Sequence, residues 1–170
     1  MTEPPEFDRM FRSAVRSAVH LEMRDDYGAG SPAFAAWREH RPYDRSRPDA
    51  AWHELVGDVI QRGVTVRRAR IISEPASDYI RFEYEVTPAA NIAAGEHVRW
   101  LPRQRASDLA LPGNDFWLFD GAAVLFNFFS GDGTSAGTEL RDEPAVVSLC
   151  TSAFEAVWNR AVPHEEYRPA

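Results

Sequence analysis

The sequence predicts an α/β domain: a mixed β-sheet flanked by helices. Three observations predict it. Apolar residues recur at three- and four-residue spacing in the N-terminal third and again near the C-terminus, the period of a helix. Between these stretches, β-branched and aromatic residues alternate with a period of two, as strands require. Glycines stand where one period gives way to the other.

Phe7 to about Arg24 reads as a helix, with Phe7, Met10, Phe11, Val15, Ala18, Val19 and Met23 on one side. Gly28 to Pro32 is a loop by its breakers, and Phe34 to His40 a short second helix. Arg41 to Pro48 is an exposed connection. From Pro48-Asp49 a better helix presents Trp52, Leu55, Val56, Val59 and Ile60 on one face and ends at Gly63. Val64 to Ile72 and Tyr79 to Val86 then read as strands around a Glu-Pro loop. In the second, Ile80, Phe82, Tyr84 and Val86 alternate with Tyr79, Arg81, Glu83 and Glu85. Pro88 to Ala94 supplies a helical turn or two, and Glu96 to Leu101 a further strand stopped by Pro102.

Asp115 to Phe119 is a strand that runs into Asp120-Gly121, a pair able to take the positive φ of a tight hairpin. Ala122 to Phe129 is its return partner. Gly131 to Gly137 is a loop, Thr138 to Arg141 a short strand, and Glu143 to Arg160 the last helix, ended by Pro163. Residues 1–48 thus form an N-terminal helical segment, residues 49–163 the α/β domain, and residues 164–170 a tail.

All 19 basic residues are Arg, so chemistry that needs Lys, such as Schiff bases, pyridoxal phosphate attachment or a P-loop, is excluded. No cofactor is expected. The single Cys150 forms no internal disulfide, lies on the apolar side of the last helix, and has no zinc-like spacing around it. A formal charge of −7 argues against direct nucleic-acid binding. No apolar run spans a bilayer and the N-terminus has no signal-like core, so a cytoplasmic protein is expected. Charge is unevenly placed: from Arg62 to Arg105, eight Arg face five acids.

From about Ala51 to Pro163 the order of elements resembles one half of a phospholipase-D-like domain. It shares a helix leading through Arg62-Gly63-Val64 into a strand, an Ala94-Gly95 junction into another, and a strand ending in Asp120-Gly121 before a Trp-bearing helix. The resemblance implies a catalytic His-x-Lys ahead of Asp120-Gly121. Those places hold Gly113 and Asp115. Glycine has no nucleophile, and a carboxylate repels the phosphate that a cation would hold. Phosphodiesterase activity is not expected. Across Phe7 to Tyr167 the chain is also similar to an actinobacterial family of unknown function often encoded near helix-turn-helix regulators. His20 to Tyr27, Arg68 to Pro75, Tyr79 to Phe82, Gly95 to Pro102 and Asp115 to Gly121 carry the similarity. It implies a regulatory setting and supplies no catalytic residues.

Two constellations are candidate sites. Arg68, Arg70, Arg81 and Arg99, beside Trp100, would form an anion site if their faces coincide; the alternative is cross-strand pairing with Glu83 and Glu85. Trp117 and Phe116 could frame a pocket there or simply be core. His20, Glu22, Arg24, Asp25 and Asp26 form the densest polar cluster, a site for acid–base or metal-assisted chemistry or else a solvated helix end. No metal ligands are assigned. Gly131-Asp132-Gly133 lacks the length of a calcium loop and the pattern of a Walker loop. The function expected is a non-catalytic binding or regulatory module, acting in transcriptional control through a small anionic ligand or a protein partner such as a helix-turn-helix regulator. A small enzyme using His20 is the alternative, and a homodimeric scaffold a third reading.

Overall fold

Two elements, α1 (Pro5–Ser13) and β1 (Ser17–Glu22), occupy the stretch read as one N-terminal helix. The structure, a computed structural model, describes residues 5–28 and 30–170. Residues 1–4 of the polar N-terminus, and Ala29 within the Gly28 to Pro32 loop, lie outside the described residues. Helical spacing holds through Phe7, Met10 and Phe11, which pack on the core, but Val15 is 67% exposed at a turn. Beyond it the period is two: Ala18, His20 and Glu22 face one side of the sheet, Val19 and Leu21 the other.

The turn is fixed from a distance. Asp120, in the β-hairpin far along the chain, accepts the backbone N–H groups of Val15, Arg16 and Ser17 at 3.0, 2.7 and 2.9 Å. Burial alone would raise the Asp120 pKa, but these three donors outweigh it and hold the carboxyl below its ordinary value. Asp120→Ala is expected to cost about 1–2 kcal/mol in urea denaturation, the worth of charge-assisted hydrogen bonds in a partly solvated setting. A loss no larger than that of an exposed Asp142→Ala control would remove the role.

α2 (Pro32–Arg38) begins at Ser31, whose hydroxyl caps the Phe34 N–H. α3 (Ser46–Gln61) buries Leu55, Val56 and Val59 and ends before Gly63, whose φ of 88° glycine takes without strain. β2 (Thr65–Ile72) follows as expected.

α4 (Asp78–Thr87) replaces the strand read from Tyr79 to Val86. The alternation of β-formers there is outweighed by a start signal. The Ser77 side chain accepts the Ile80 N–H, Asp78 sits in the first turn, and the helix then buries Tyr79, Ile80 and Phe82. A π-helical turn (Pro88–Ile92) leads through Gly95 into β3 (His97–Pro102), after which a 3-10 turn (Arg103–Ala106) precedes β4 (Asp115–Phe119). The hairpin to β5 (Ala123–Phe129) turns through Asp120 and Gly121, with φ of 55° and 64°. β6 (Ser135–Arg141) starts within the expected loop. α5 (Pro144–Arg160) and β7 (Val162–Pro163) end the chain.

The seven strands form one mixed sheet in the order β6-β5-β4-β1-β2-β3-β7. β1, β2 and β3 pair in parallel; the other pairs are antiparallel. The expected N-terminal helical segment therefore contains a strand in the middle of the sheet. Residues 164–170 are also docked: Tyr167 donates to Glu74 at 2.7 Å, and the Ala170 carbonyl accepts the Ala76 N–H at 2.8 Å.

One sheet face is covered by α5, with Phe154 and Val157 against Leu21, Ile71, Phe116 and Leu118. The other carries two apolar clusters. α1 and α3 pack on Ala18, Val66 and Trp117, while α4 packs near Val98 and Trp100. Between these clusters a row of polar side chains faces a cleft.

Candidate functional site

The row is written in the register. His20 lies opposite Arg68 and Trp117, Glu22 opposite Arg70, and Asp115 opposite Asn127, so all share one face of β1, β2, β4 and β5. They line an open cleft of about 440 Å³, bordered by α3, α4 and the β5–β6 hairpin. That size suits a small-molecule ligand.

Arg68 and Arg70 are buried, and each is neutralised. Glu22 bridges them, taking a hydrogen bond from Arg68 Nη1 and another from Arg70 Nε. Arg68 Nε also donates to Glu96 Oε2 at 2.8 Å, and Arg70 Nη2 pairs with Glu83 Oε2 at 2.9 Å. Glu96 in turn accepts Trp52 Nε1–H at 2.5 Å and the Asn91 amide at 2.7 Å. Thr87 accepts Arg70 Nη1 at 2.6 Å. Burial by itself pushes the Glu22 carboxyl up, but the Arg70 and Arg68 charges outweigh it and hold it far below the ordinary range.

His20 is stacked on Trp117 with ring centroids 4.3 Å apart. Arg68 Nη1 has only protons to offer, so at 2.9 Å its partner His20 Nδ1 must accept. The neutral ring then carries its proton on Nε2, which lies 3.4 Å from Asn127 Nδ2; a flip of that amide would turn its oxygen toward the ring as the acceptor. Burial first, and the Arg68 charge second, lower the His20 pKa to about 3. The imidazole is therefore neutral at physiological pH.

Asp115, 3% exposed, differs from the other carboxylates in the row. It accepts the Met23 N–H at 2.9 Å and the Tyr27 hydroxyl, and among the described residues no guanidinium bonds it. Burial raises its pKa to about 6, and the nearby Glu22 charge adds to the rise against the lowering by the Tyr27 hydrogen bond. The Tyr27 phenol is raised well above its ordinary value, by burial and then by Asp115.

Of the residues expected to form an anion site, Arg68, Arg70 and Trp100 come together, with the Arg70 guanidinium 4.9 Å from the Trp100 ring centroid. The other two do not join them. Arg81 sits on the exposed side of α4 and reaches the Ala170 carbonyl at 3.2 Å, because its segment is a helix. Arg99 lies level with Ala69 on the α5 face, 4.4 Å from the Trp158 ring centroid. Pairing with Glu83 is present, but Glu85 accepts Trp37 Nε1–H at 2.7 Å instead.

The expected polar cluster also divides. His20 and Glu22 are in the cleft. Arg24 lies over the Phe129 ring at 4.9 Å, with its Nε buried and, among the described residues, without a hydrogen-bond partner. Asp25 caps Ser73 and pairs with Arg103 at 3.3 Å, while Asp26 accepts the Gly28 N–H at 2.6 Å. The split follows from β1 being a strand that ends at Glu22; the residues after it belong to a loop. Among the described residues, no group of three or more His, Cys, Asp and Glu is placed to hold a metal ion. Glu96, Asp115, Tyr27 and Asn127 were not singled out as site residues, although the alternation of β4 and β5 places Asp115 and Asn127 on the Trp117 face.

A family model described as "Domain of unknown function (DUF6879)" matches residues 5–169. Among solved structures the chain is similar to Nuc, a phospholipase D family member from Salmonella typhimurium. The identity is 12%, with 95% of this chain and 88% of that chain covered and a TM-score of 0.50. This likeness is one of fold: the phospholipase-D-like arrangement. No curated protein matches the chain.

Proposed function

The chain belongs to the DUF6879 family, and we propose that it is a non-catalytic binding module whose ligand occupies the cleft on the polar row. One observation carries the reading: the ionised groups at the cleft floor are held by one another instead of being poised for transfer. Arg68 is paired with Glu22 and Glu96, and Arg70 with Glu22 and Glu83. An anion would have to displace those carboxylates, so the arginines support structure more than anion capture. His20, with its pKa lowered to about 3, is a weak base at neutral pH, and its Nδ1 lone pair is taken by Arg68. That disfavours the acid–base alternative. The place where the phospholipase-D-like resemblance implies the nucleophile holds the exposed Gly113, and the place of its cation holds Asp115.

A library of amines, amino acids, nucleosides and sugar phosphates tests the reading by thermal shift, with Trp52 and Trp117 fluorescence as a local reporter. The expected result is at least one compound that raises the unfolding midpoint and is recovered unchanged. Its effect should be lost in Thr138→Trp, which fills the mouth of the cleft. Turnover of a compound at this site, hydrolysis of bis(4-nitrophenyl) phosphate, or silence across the library would overturn it. The module's place in transcriptional control rests on the similarity to a family encoded beside helix-turn-helix regulators. Co-purification with the adjacently encoded regulator checks that step, and its consistent failure would remove it.

A further inference from the structure

We propose that the cleft selects a small organic cation, an ammonium on a short apolar or aromatic stem, and seats it against Asp115. The proposal rests on the binding-module reading above and names the chemical class of its ligand.

Charge balance points to it first. Glu22, Asp49, Glu83 and Asp115 line the cleft together with Arg45, Arg68 and Arg70. Each of these arginines is committed: Arg45 to Asp49 at 2.9 Å, Arg68 to Glu22 and Glu96, and Arg70 to Glu22 and Glu83. Asp115 is the lining carboxylate that, among the described residues, has no cation bonded to it. Its oxygens take one backbone N–H and one phenol, and a carboxylate has room for further donors. Arg24 is close enough to act on Asp115 electrostatically, but its guanidinium is over the Phe129 ring and makes no hydrogen bond to the carboxylate among the described residues.

The walls point the same way. Tyr27, Tyr79 and Phe129 line this end of the cleft, with Tyr27 5.3 Å from Phe129 and 6.2 Å from Tyr79 by ring centroids. Aromatic rings beside a buried carboxylate suit an ammonium, which gains from the ring quadrupoles as well as from the opposite charge; one face of Phe129 already carries Arg24, which leaves Tyr27 and Tyr79 for the ligand. The loop that carries Tyr27 is seated tightly: a Cβ added at Gly28 would lie 2.6 Å from the Tyr79 ring. A carboxylate or phosphate ligand would meet repulsion from Asp115 and find no unengaged guanidinium among the lining arginines.

Isothermal titration with three matched probes tests the class: 2-phenylethylammonium, neutral 2-phenylethanol and anionic 3-phenylpropionate. The ammonium is expected to bind at least tenfold more tightly than either of the others at pH 7.5. Asp115→Asn, which can still accept the Met23 N–H, should lose that preference while keeping a cooperative thermal transition. In the unaltered protein the ammonium affinity should fall as pH is lowered through about 6, where Asp115 takes up a proton. Glu22, Tyr27 and Arg24 are the titratable or charged groups that act on Asp115, and the facing residue on β5 is the uncharged Asn127. Equal or tighter binding of the propionate overturns the proposal. So does ammonium affinity indifferent to both Asp115→Asn and pH, or no ammonium binding. If a library compound of another class binds and is blocked by Thr138→Trp, the binding module stands and only the cation class falls. Silence of every compound removes both.

Discussion

Glu22→Gln is expected to destabilise the protein by about 3 kcal/mol, the lower end for breaking a buried ion pair. For a domain of this size that lowers the thermal midpoint by roughly 6–12 °C. The reason is topological. Glu22 sits on the middle strand and is the carboxylate shared by Arg68 and Arg70, both buried against the floor of the cleft. Without its charge, Arg68 keeps Glu96 and Arg70 keeps Glu83, which limits the loss. The two guanidinium charges are then less than fully compensated in a setting where hydration cannot replace the missing partner. Arg70→Met in the same background should recover part of the loss, since the uncompensated charge is removed with it. Breaking the exposed Arg41–Glu39 pair should leave the midpoint unmoved. A Glu22→Gln midpoint within error of the parent would mean the network anchors nothing.

The second large effect lies in pH, and it has opposite signs at two neighbouring groups. His20 is lowered from 6.5 to about 3 in the folded chain, so between those values the unfolded chain binds a proton that the folded chain refuses. Stability then rises with pH, by up to about 1.4 kcal/mol per pH unit. Asp115 is raised from 3.8 to about 6, so over that window the folded chain holds a proton that the unfolded chain has released. Its contribution is lost as pH rises. From about pH 4 to 6 the two oppose each other in the parent protein. His20→Gln should leave the Asp115 dependence unopposed and turn the slope downward relative to the parent. Asp115→Asn should turn it upward by a similar amount. Chemical denaturation at half-unit steps of pH resolves both, and slopes that shift in the same direction in the two variants would refute the assignment.

Much of the sheet was legible in the sequence because its signals are local. Gly63 and Gly95 mark the entries to β2 and β3, and Asp120-Gly121 marks the hairpin between β4 and β5, where both residues take positive φ. Period-two parity also placed Arg68 and Arg70 on one face of β2. Two segments misled. The α1–β1 boundary depends on Asp120, more than a hundred residues away, gathering the N–H groups of Val15, Arg16 and Ser17. No local pattern carries that contact. In α4 the strand-like alternation of Ile80, Phe82, Tyr84 and Val86 was read ahead of the Ser77 cap, the signal that would have found the helix.

The site was half legible for the same reason. Parity assigns a side chain to a face, and this brought out Arg68 and Arg70. It does not say which neighbour stands across the sheet. Glu96 reaches Arg68 from the residue before β3, and Asp115, at the start of β4, meets Tyr27 in the loop after β1, 88 residues away along the chain.

By itself, then, the sequence determined the fold class, the hairpin at Asp120-Gly121 and a chemistry without Lys or the implied His-x-Lys. These follow from backbone conformational preference and residue identity, which are properties of short stretches. Only the tertiary structure decided that the central arginines are already neutralised, that His20 is neutral, and that Asp115 is left without a bonded cation among the described residues. The charge a buried group carries is set by burial and by the partner opposite it, and that partner is chosen by strand order and register.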